Sequence, residues 1–419
     1  MIRRLLSWSL WVLLWGAPAR AEPPAITWDE CVQEAAANNA ELRTARANLA
    51  AAAYKADAAY SGNLPQLSAG AGYTDTSGSV VGDTGTTAYS TSLSLTQNLF
   101  AGFQDQAKIE QGAANRTAAE ASLAAARARL SQDLKAAYAG LLYAQENIVL
   151  TEKIVRRLEE NLRLVELRFE GGRENKGSYL FSQASLAQAR YEYLQAQQAV
   201  VSAQAQLARA LGRAVRGALR VAEGVPLAEP GAAPDFAQLA RGAPDYLQVQ
   251  AQERSATADV ALARSGFYPS VNLSGSVGRE GPDWAPQNDR RTVGLNLTLP
   301  LFSGGKDYYA TKSASASLEA ASSGKDNVER QLFVRLRQTY AGYVEAAEKL
   351  KVDRQFVEAA TARAEIARSR YDNGLMTFDD WDRIESDLIQ RSKSLLVSRR
   401  DRVNAEAAWE QAQGKGVIP

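Results

Sequence analysis

Forty-seven acidic side chains stand against 48 basic ones in this 419-residue chain, yet none of them meets the partners that catalysis needs. The chain has no His, which removes the Ser-His-Asp triad, imidazole acid–base work and His-ligated metal. Its one cysteine, Cys31, allows neither an intrachain disulfide nor a Cys-rich zinc site. Gly172 to Ser178 has the glycine spacing of a phosphate loop, but no Lys directly precedes the Ser and no strand precedes the segment, so it reads as a turn. No paired carboxylates, nucleophile or metal constellation stands out, and neither enzymatic activity nor a cofactor is expected. A net charge of +1 gives no reason to expect a nucleic-acid partner. With 46% apolar and 23% charged residues, the chain is neither disordered by composition nor a bundle of membrane-spanning helices.

The first residues look like an address. Arg3 and Arg4 precede an uncharged run from Leu5 to Ala17, closed by Ala19-Arg20-Ala21. A basic start, a short apolar stretch and an A-x-A site describe a secretory signal covering residues 1–21. The run is too short for a spanning helix of about 20 residues. A buried N-terminal helix is the other reading of the same residues. Cleavage would leave a chain that works outside the cytoplasm, where cytosolic nucleotide chemistry is not expected.

After that segment the chain is written twice. Leu99-Phe100-Ala101-Gly102 returns as Leu301-Phe302-Ser303-Gly304, Tyr138-Ala139-Gly140 as Tyr340-Ala341-Gly342, and Phe169-Glu170-Gly171-Gly172 as Tyr371-Asp372-Asn373-Gly374, always 202 residues later. Leu64-Pro65 pairs with Tyr268-Pro269 at 204. Repeats of this kind set the architecture before any local reading does. The expected organisation is a first repeat over residues 22–216, a Pro- and Gly-bearing extended linker over 217–234, a second repeat over 235–414 and a short tail over 415–419.

Each repeat carries the same elements: an Ala-rich helix (Trp28 to Ser61; Asp235 to Ser265), two strands, a very long helix and a returning helix. The strands alternate. Leu67, Ala69, Ala71 and Tyr73 share one face, as do Tyr89, Thr91, Leu93, Leu95 and Leu99, then Val271, Leu273 and Val277, then Val293, Leu295, Leu297 and Leu299, while Ser, Thr and Gly fill the reverse faces. The long helix of the first half carries a stripe at Leu130, Leu134, Ala137, Leu141, Ala144, Ile148, Thr151, Val155, Leu158, Leu162, Val165 and Phe169. That 3.5-residue average is a coiled-coil seam, repeated in the second half. The chain turns at Gly171-Gly172 and Asn373-Gly374 and comes back. Phe100, Phe302, Tyr308 and Tyr309 are placed at the junction of sheet and helices, and Trp284 in a loop, as a lid or a packed residue.

Geometry then narrows the class. A helix from Gln104 to Glu170 would be roughly 100 Å long, which suits a solvated rod or a tunnel wall, not a globular core. Strands of about ten residues can cross a bilayer as tilted β. Four cannot close a barrel, and open edges in lipid leave backbone groups unpaired. Copies must therefore pool strands: two give eight, three give twelve and begin to leave a lumen. A half-buried soluble sheet is the alternative reading of the strands taken alone.

The order helix, strand, strand, long helix, return helix, written twice after a signal, resembles the TolC-type outer-membrane efflux proteins. The local marks are Leu-Phe-x-Gly after the second strand and the aromatic-x-x-Gly turns at Phe169 to Gly172 and Tyr371 to Gly374. The resemblance implies a mainly α fold with a small β part. It implies a homotrimer with a 12-stranded barrel in the outer-membrane lipid of a Gram-negative envelope and an α-helical coiled-coil tunnel in the periplasm. It also implies two partners, a periplasmic adaptor (membrane fusion) protein and an inner-membrane pump of RND or ABC type. By the same resemblance, Phe169, Gly171, Gly172, Ser178, Asn373, Gly374 and Leu375 belong to adaptor-docking tips. Tyr371, Asp379, Asp380 and Asp382 belong to a periplasmic gate, where symmetry copies would make an acidic ring. Ser178 stands where the first repeat would carry an acid, and Met376 and Arg383 also depart from the family pattern. Asp379 and Asp380 equally suit a helix N-terminus. Efflux of drugs or metals and type I protein secretion share such an outer component. A trimeric envelope spacer or adhesin that conducts nothing is the alternative, although it would not need four amphipathic strands.

Overall fold

A computed structural model describes residues 25–76, 86–214, 219–222 and 224–419. The expected signal segment, 1–21, lies outside the described residues, as do the tip of the first strand hairpin and the start of the linker. In chain order the elements are β1 (Ala25–Ile26), α1 (Trp28–Asn38), α2 (Ala40–Ala59), β2 (Gln66–Thr76), β3 (Thr86–Ala101), α3 (Gln104–Glu170), α4 (Lys176–Leu211), β4 (Arg220–Val221), α5 (Phe236–Gly242), α6 (Pro244–Arg264), β5 (Ser270–Gly281), β6 (Asn288–Thr298), α7 (Lys306–Asp372) and α8 (Phe378–Ala412). The chain is mainly helical with a small sheet. The duplication is visible in the coordinates: α3 and α7 are both 67 residues long and start 202 residues apart.

One expected element is split. The Ala-rich helix of the first repeat breaks at Asn39, whose backbone is extended and whose side chain accepts from the Glu41 and Leu42 amides while donating to the Ala210 carbonyl of α4. A side chain that caps one helix and docks on another outweighs continued helix at that residue. The second repeat breaks at Ala243, followed by Pro244 in the first helical turn, where a missing N–H costs nothing.

β2, β3, β5 and β6 form one antiparallel sheet in that order, so the two hairpins join through β3 and β5, and β2 and β6 are left as edges. β3 has 16 residues, longer than the expected ten, because a bulge between Asn98 and Phe100 carries it toward α3. Leu99 is the extra residue and leaves the alternation.

The main core lies where α1, α3, α4 and the inter-repeat segment meet. Trp28, Cys31, Leu42, Leu134, Tyr138, Leu141, Leu207, Leu211, Val221 and Ile418 are buried together there. The linker is bound more closely than a Pro-rich spacer need be. β4 pairs in parallel with β1, and Val221 and Val225 are buried. At Ala228 the carbonyl accepts from the Tyr343 hydroxyl at 2.8 Å and from Arg402, and the amide donates to Glu406 at 3.1 Å. Glu406 also takes the buried Lys135 and Arg402, so these charges are compensated inside the protein. Cys31 is fully buried, and burial pushes its thiol up to about 12.

Along α3 the stripe is buried at Leu130, Leu134, Ala137, Leu141, Ala144, Thr151 and Val165, but Ile154 and Asn161 replace Val155 and Leu162 as the buried positions. α3 packs on α4 and on α8 together, and the line of deepest burial moves toward the face shared by both. In α7 the stripe is buried at Leu332, Leu336, Tyr343, Leu350, Asp353, Ala360, Ala364, Ala367 and Tyr371.

Candidate functional site

Two regions carry functional geometry: the faces of the sheet and the far ends of the helical hairpins. Cross-strand register sorts the sheet faces completely. Leu67 lies opposite Leu95, Ala69 opposite Leu93 and Tyr73 opposite Tyr89. Leu93 lies opposite Val277, and Leu273 opposite Leu295. These share one face. Ser68 with Ser94, Gly70 with Ser92, Ser276 with Thr292, and Asn272 with Asn296 share the other. Period-two patterning in four separate strands thus becomes one apolar face and one hydroxyl- and amide-bearing face. Most of these apolar side chains are exposed on the single chain, with Tyr89 and Leu273 half-buried; Val293, for example, is 84% exposed. A contiguous exposed apolar surface of this kind marks contact with lipid or another protein.

Aromatic rings mark both ends of the sheet. Toward the hairpin loops, Tyr73 meets Tyr89 at 5.1 Å and Tyr89 meets Trp284 edge-on at 6.0 Å. Toward the helices, Phe103 lies between Phe100 at 5.2 Å and Tyr268 at 5.5 Å. Tyr308 and Tyr309 stand next to each other there. Of the residues expected to pack this junction, Phe100 does so, while Phe302 is 88% exposed. It follows β6, an edge of the sheet, beside which no further strand lies among the described residues.

At the other end each hairpin turns by the same device. Gly172 and Gly374 take positive φ, and the amides of Arg173 and Leu375 reach back to the carbonyls of Arg168 and Arg370 at 2.8 Å. This is the Schellman closure of a helix C-terminus. Gly171 and Asn373 occupy the position before it, and Leu375 stands out from the turn, 77% exposed. Asn175 then caps α4 by accepting from the Ser178 amide, and Thr377 caps α8 by accepting from the Asp380 amide. Ser178 is buried. The Asp380 carboxylate accepts from the Thr377 hydroxyl at 2.8 Å, and Asp379 lies with it in the first turn of α8.

Within one protomer the expected gate residues divide into two groups. Tyr371 is fully buried, stacked on Trp381 with centroids 4.3 Å apart and under the Arg168 guanidinium at 4.4 Å. Its hydroxyl donates to Glu174 at 3.0 Å, and its carbonyl accepts from Arg168. Burial first, then the Glu174 contact, push the Tyr371 phenol well above its ordinary range. Among the described residues no hydrogen bond joins it to the three aspartates. Asp382 is half-buried, and burial, then Asp379 and Glu385, raise its carboxyl above the usual carboxylate range. One turn further, buried Glu385 holds Arg157 of α3 through both carboxylate oxygens.

Arg168, Glu174, Trp381, Arg157 and Glu385 were not singled out from sequence. One signal was available: Phe169 and Tyr179 recur 202 residues later as Tyr371 and Trp381. Both pairs are stacked, at interplanar angles of 4° and 7°. The second stack is the buried one, clasped from the first hairpin. Among the described residues no group of carboxylates or Cys could hold a metal ion, and no helix is long and apolar enough to cross a membrane, which says nothing of the strands.

An exposed two-faced sheet is thus mounted on long, paired helices. Comparison gives the family: the outer membrane efflux protein family matches residues 31–213 and 237–415, and the chain belongs to it. It is therefore an outer-membrane channel component and not an enzyme. The alkaline protease secretion protein AprF of Pseudomonas aeruginosa is 25% identical over 339 residues, covering 77% of this chain and 68% of AprF. The outer membrane protein OprJ of the same organism is 24% identical, covering 62% of this chain and 55% of OprJ. Among solved structures, CusC superposes with a TM-score of 0.83 at 17% identity, covering 93% of this chain and 92% of that one.

Proposed function

We propose that three copies of the chain pool their sheets into a 12-stranded barrel and their helices into a periplasmic tunnel. The assembly is a passive exit duct for a tripartite efflux or type I secretion system. The observation that carries this reading is the open sheet: four strands, opposite chemistry on the two faces, and free edges at β2 and β6. Unpaired edges cannot stay in lipid, and pairing β6 of one copy with β2 of the next removes all of them. The apolar face then meets lipid, and the Ser, Thr and Asn face lines the bore. Residues 1–21 direct export, 22–216 and 235–414 are the two repeats, 217–234 join them and 415–419 end the chain.

The tips at Phe169, Gly171, Gly172, Ser178, Asn373, Gly374 and Leu375 dock the adaptor, which connects to an RND or ABC pump. Tyr371, Asp379, Asp380 and Asp382 belong to the closed mouth. In each protomer the Tyr371–Trp381 stack held by Arg168 and Glu174 is the contact that opening must loosen. AprF carries protease secretion in its name, which supports a secreted-protein cargo. The test is conductance of the purified protein in a planar bilayer. A conducting trimer is expected, and Asp379→Ala with Asp380→Ala is expected to raise single-channel conductance or relieve block by divalent cations. A protein that never conducts would favour the spacer or adhesin reading; unaltered conductance and block in the double variant would remove the aspartates from the gate.

A further inference from the structure

On the apolar face of the sheet, β5 runs Val271, Leu273, Gly275, Val277 and then Arg279, while β6, opposite, runs Leu297, Leu295, Val293 and then Arg291 and Asp289. Both strands change from aliphatic to arginine toward the hairpin loops, the end at which Tyr73, Tyr89 and Trp284 cluster. Arg279 holds Asp289 at 3.1 Å, and Arg291 is exposed with no carboxylate partner among the described residues. The neighbouring Arg290 points to the opposite face and pairs with Glu280 at 2.8 Å. On β5 and β6 the lipid-directed face therefore ends in two guanidinium groups against one carboxylate; Asp75, on the same face, stands two strands away on β2.

An arginine on a lipid-facing strand is costly at mid-membrane and tolerated at the interface, where its stem lies along apolar neighbours and its head reaches polar groups. Two of them on adjacent strands, beside interfacial aromatics, set the depth at which headgroups meet the protein. Arg291, without a carboxylate partner among the described residues, and the planar five-donor fork of Arg279, of which Asp289 occupies only part, match a phosphate oxygen pair.

We propose that Arg279 and Arg291 form a binding site for the phosphate headgroup of an outer-leaflet lipid. The proposal rests on the reading that the apolar face meets lipid and the helices lie in the periplasm, which puts the hairpin loops, at the opposite end of the sheet, outside the cell. The test uses the full-length protein reconstituted in phosphatidylcholine vesicles doped either with bisphosphorylated lipid A or with its dephosphorylated form. Lipid retained after detergent washing is counted by native mass spectrometry. The wild-type protein is expected to retain the phosphorylated form with about tenfold preference, a ratio typical of one charge-assisted contact. Arg279→Gln with Arg291→Gln is expected to lose that preference, and Arg290→Gln, on the opposite face, to keep it. Equal retention of the two lipids by the wild type overturns the site whether or not the double variant folds, as does a preference that survives in a folded double variant. Conductance in the same membranes separates the two readings: a wild type that does not conduct sinks the duct, whereas a conducting one without lipid preference sinks only this site.

Discussion

Asp382 is the side chain at the tips whose charge is least comfortable. Its carboxyl is raised by burial and by Asp379 and Glu385, so folding of the tip costs its charged form more than its protonated one. For an acid whose folded pKa lies above its unfolded one, stability is greatest at low pH and falls as pH rises through the window between the two values. The closed mouth should therefore tighten as pH drops into the range just above ordinary carboxylates. Asp382→Asn should flatten that dependence, which a pH titration of single-channel conductance reads directly. Conductance of the variant that kept the wild-type pH slope would exclude Asp382. Tyr371→Phe keeps the ring stack but deletes the hydrogen bond to Glu174. About 1 kcal/mol should go from the closed state, seen as more frequent openings. Arg157→Ala should cost more, about 3 kcal/mol, because it strands the buried Glu385 carboxylate. Faster amide hydrogen exchange in α8 around that residue is the expected readout.

Each hairpin depends on one residue of positive φ. Adding a methyl at Gly374 meets no neighbouring atom, so Gly374→Ala tests backbone conformation alone. A cost of about 1 kcal/mol is expected, localised to the tip and visible as faster amide exchange near residues 370–378. How far such elements could be read in advance depended on the range of the interactions that set them. The turns, the long helices and the strand alternation are local patterns repeated at a fixed offset, and all were legible. Asn39 was not, because its decisive hydrogen bond reaches Ala210, 171 residues away. The shift of the α3 stripe to Ile154 and Asn161 depends on two packing partners, which no single period encodes. At the tips, the aromatic positions were legible as Phe169 and Tyr371, but the clasp by Arg168 and Glu174 joins different hairpins and left no periodic trace.

For the whole molecule, the sheet demands partners and the helices set the scale. Detergent-solubilised protein should run as a trimer by light scattering; a monomer with every strand edge satisfied would contradict the pooled barrel. The two repeats would give that trimer near-sixfold walls, yet only the second repeat buries its aromatic stack beneath the other hairpin. Opening should therefore proceed mainly by movement of α7 and α8 relative to α3 and α4, a threefold motion. Cys31 gives a practical handle on it. With its sulfhydryl sealed beneath α1 and held protonated at ordinary pH, the natural chain is chemically silent toward maleimide dyes. A cysteine introduced at the protruding Leu375 would carry the one reactive tag in each copy, so fluorophore separation across the axis could report the iris widening in real time, on a protein that needs no other engineering.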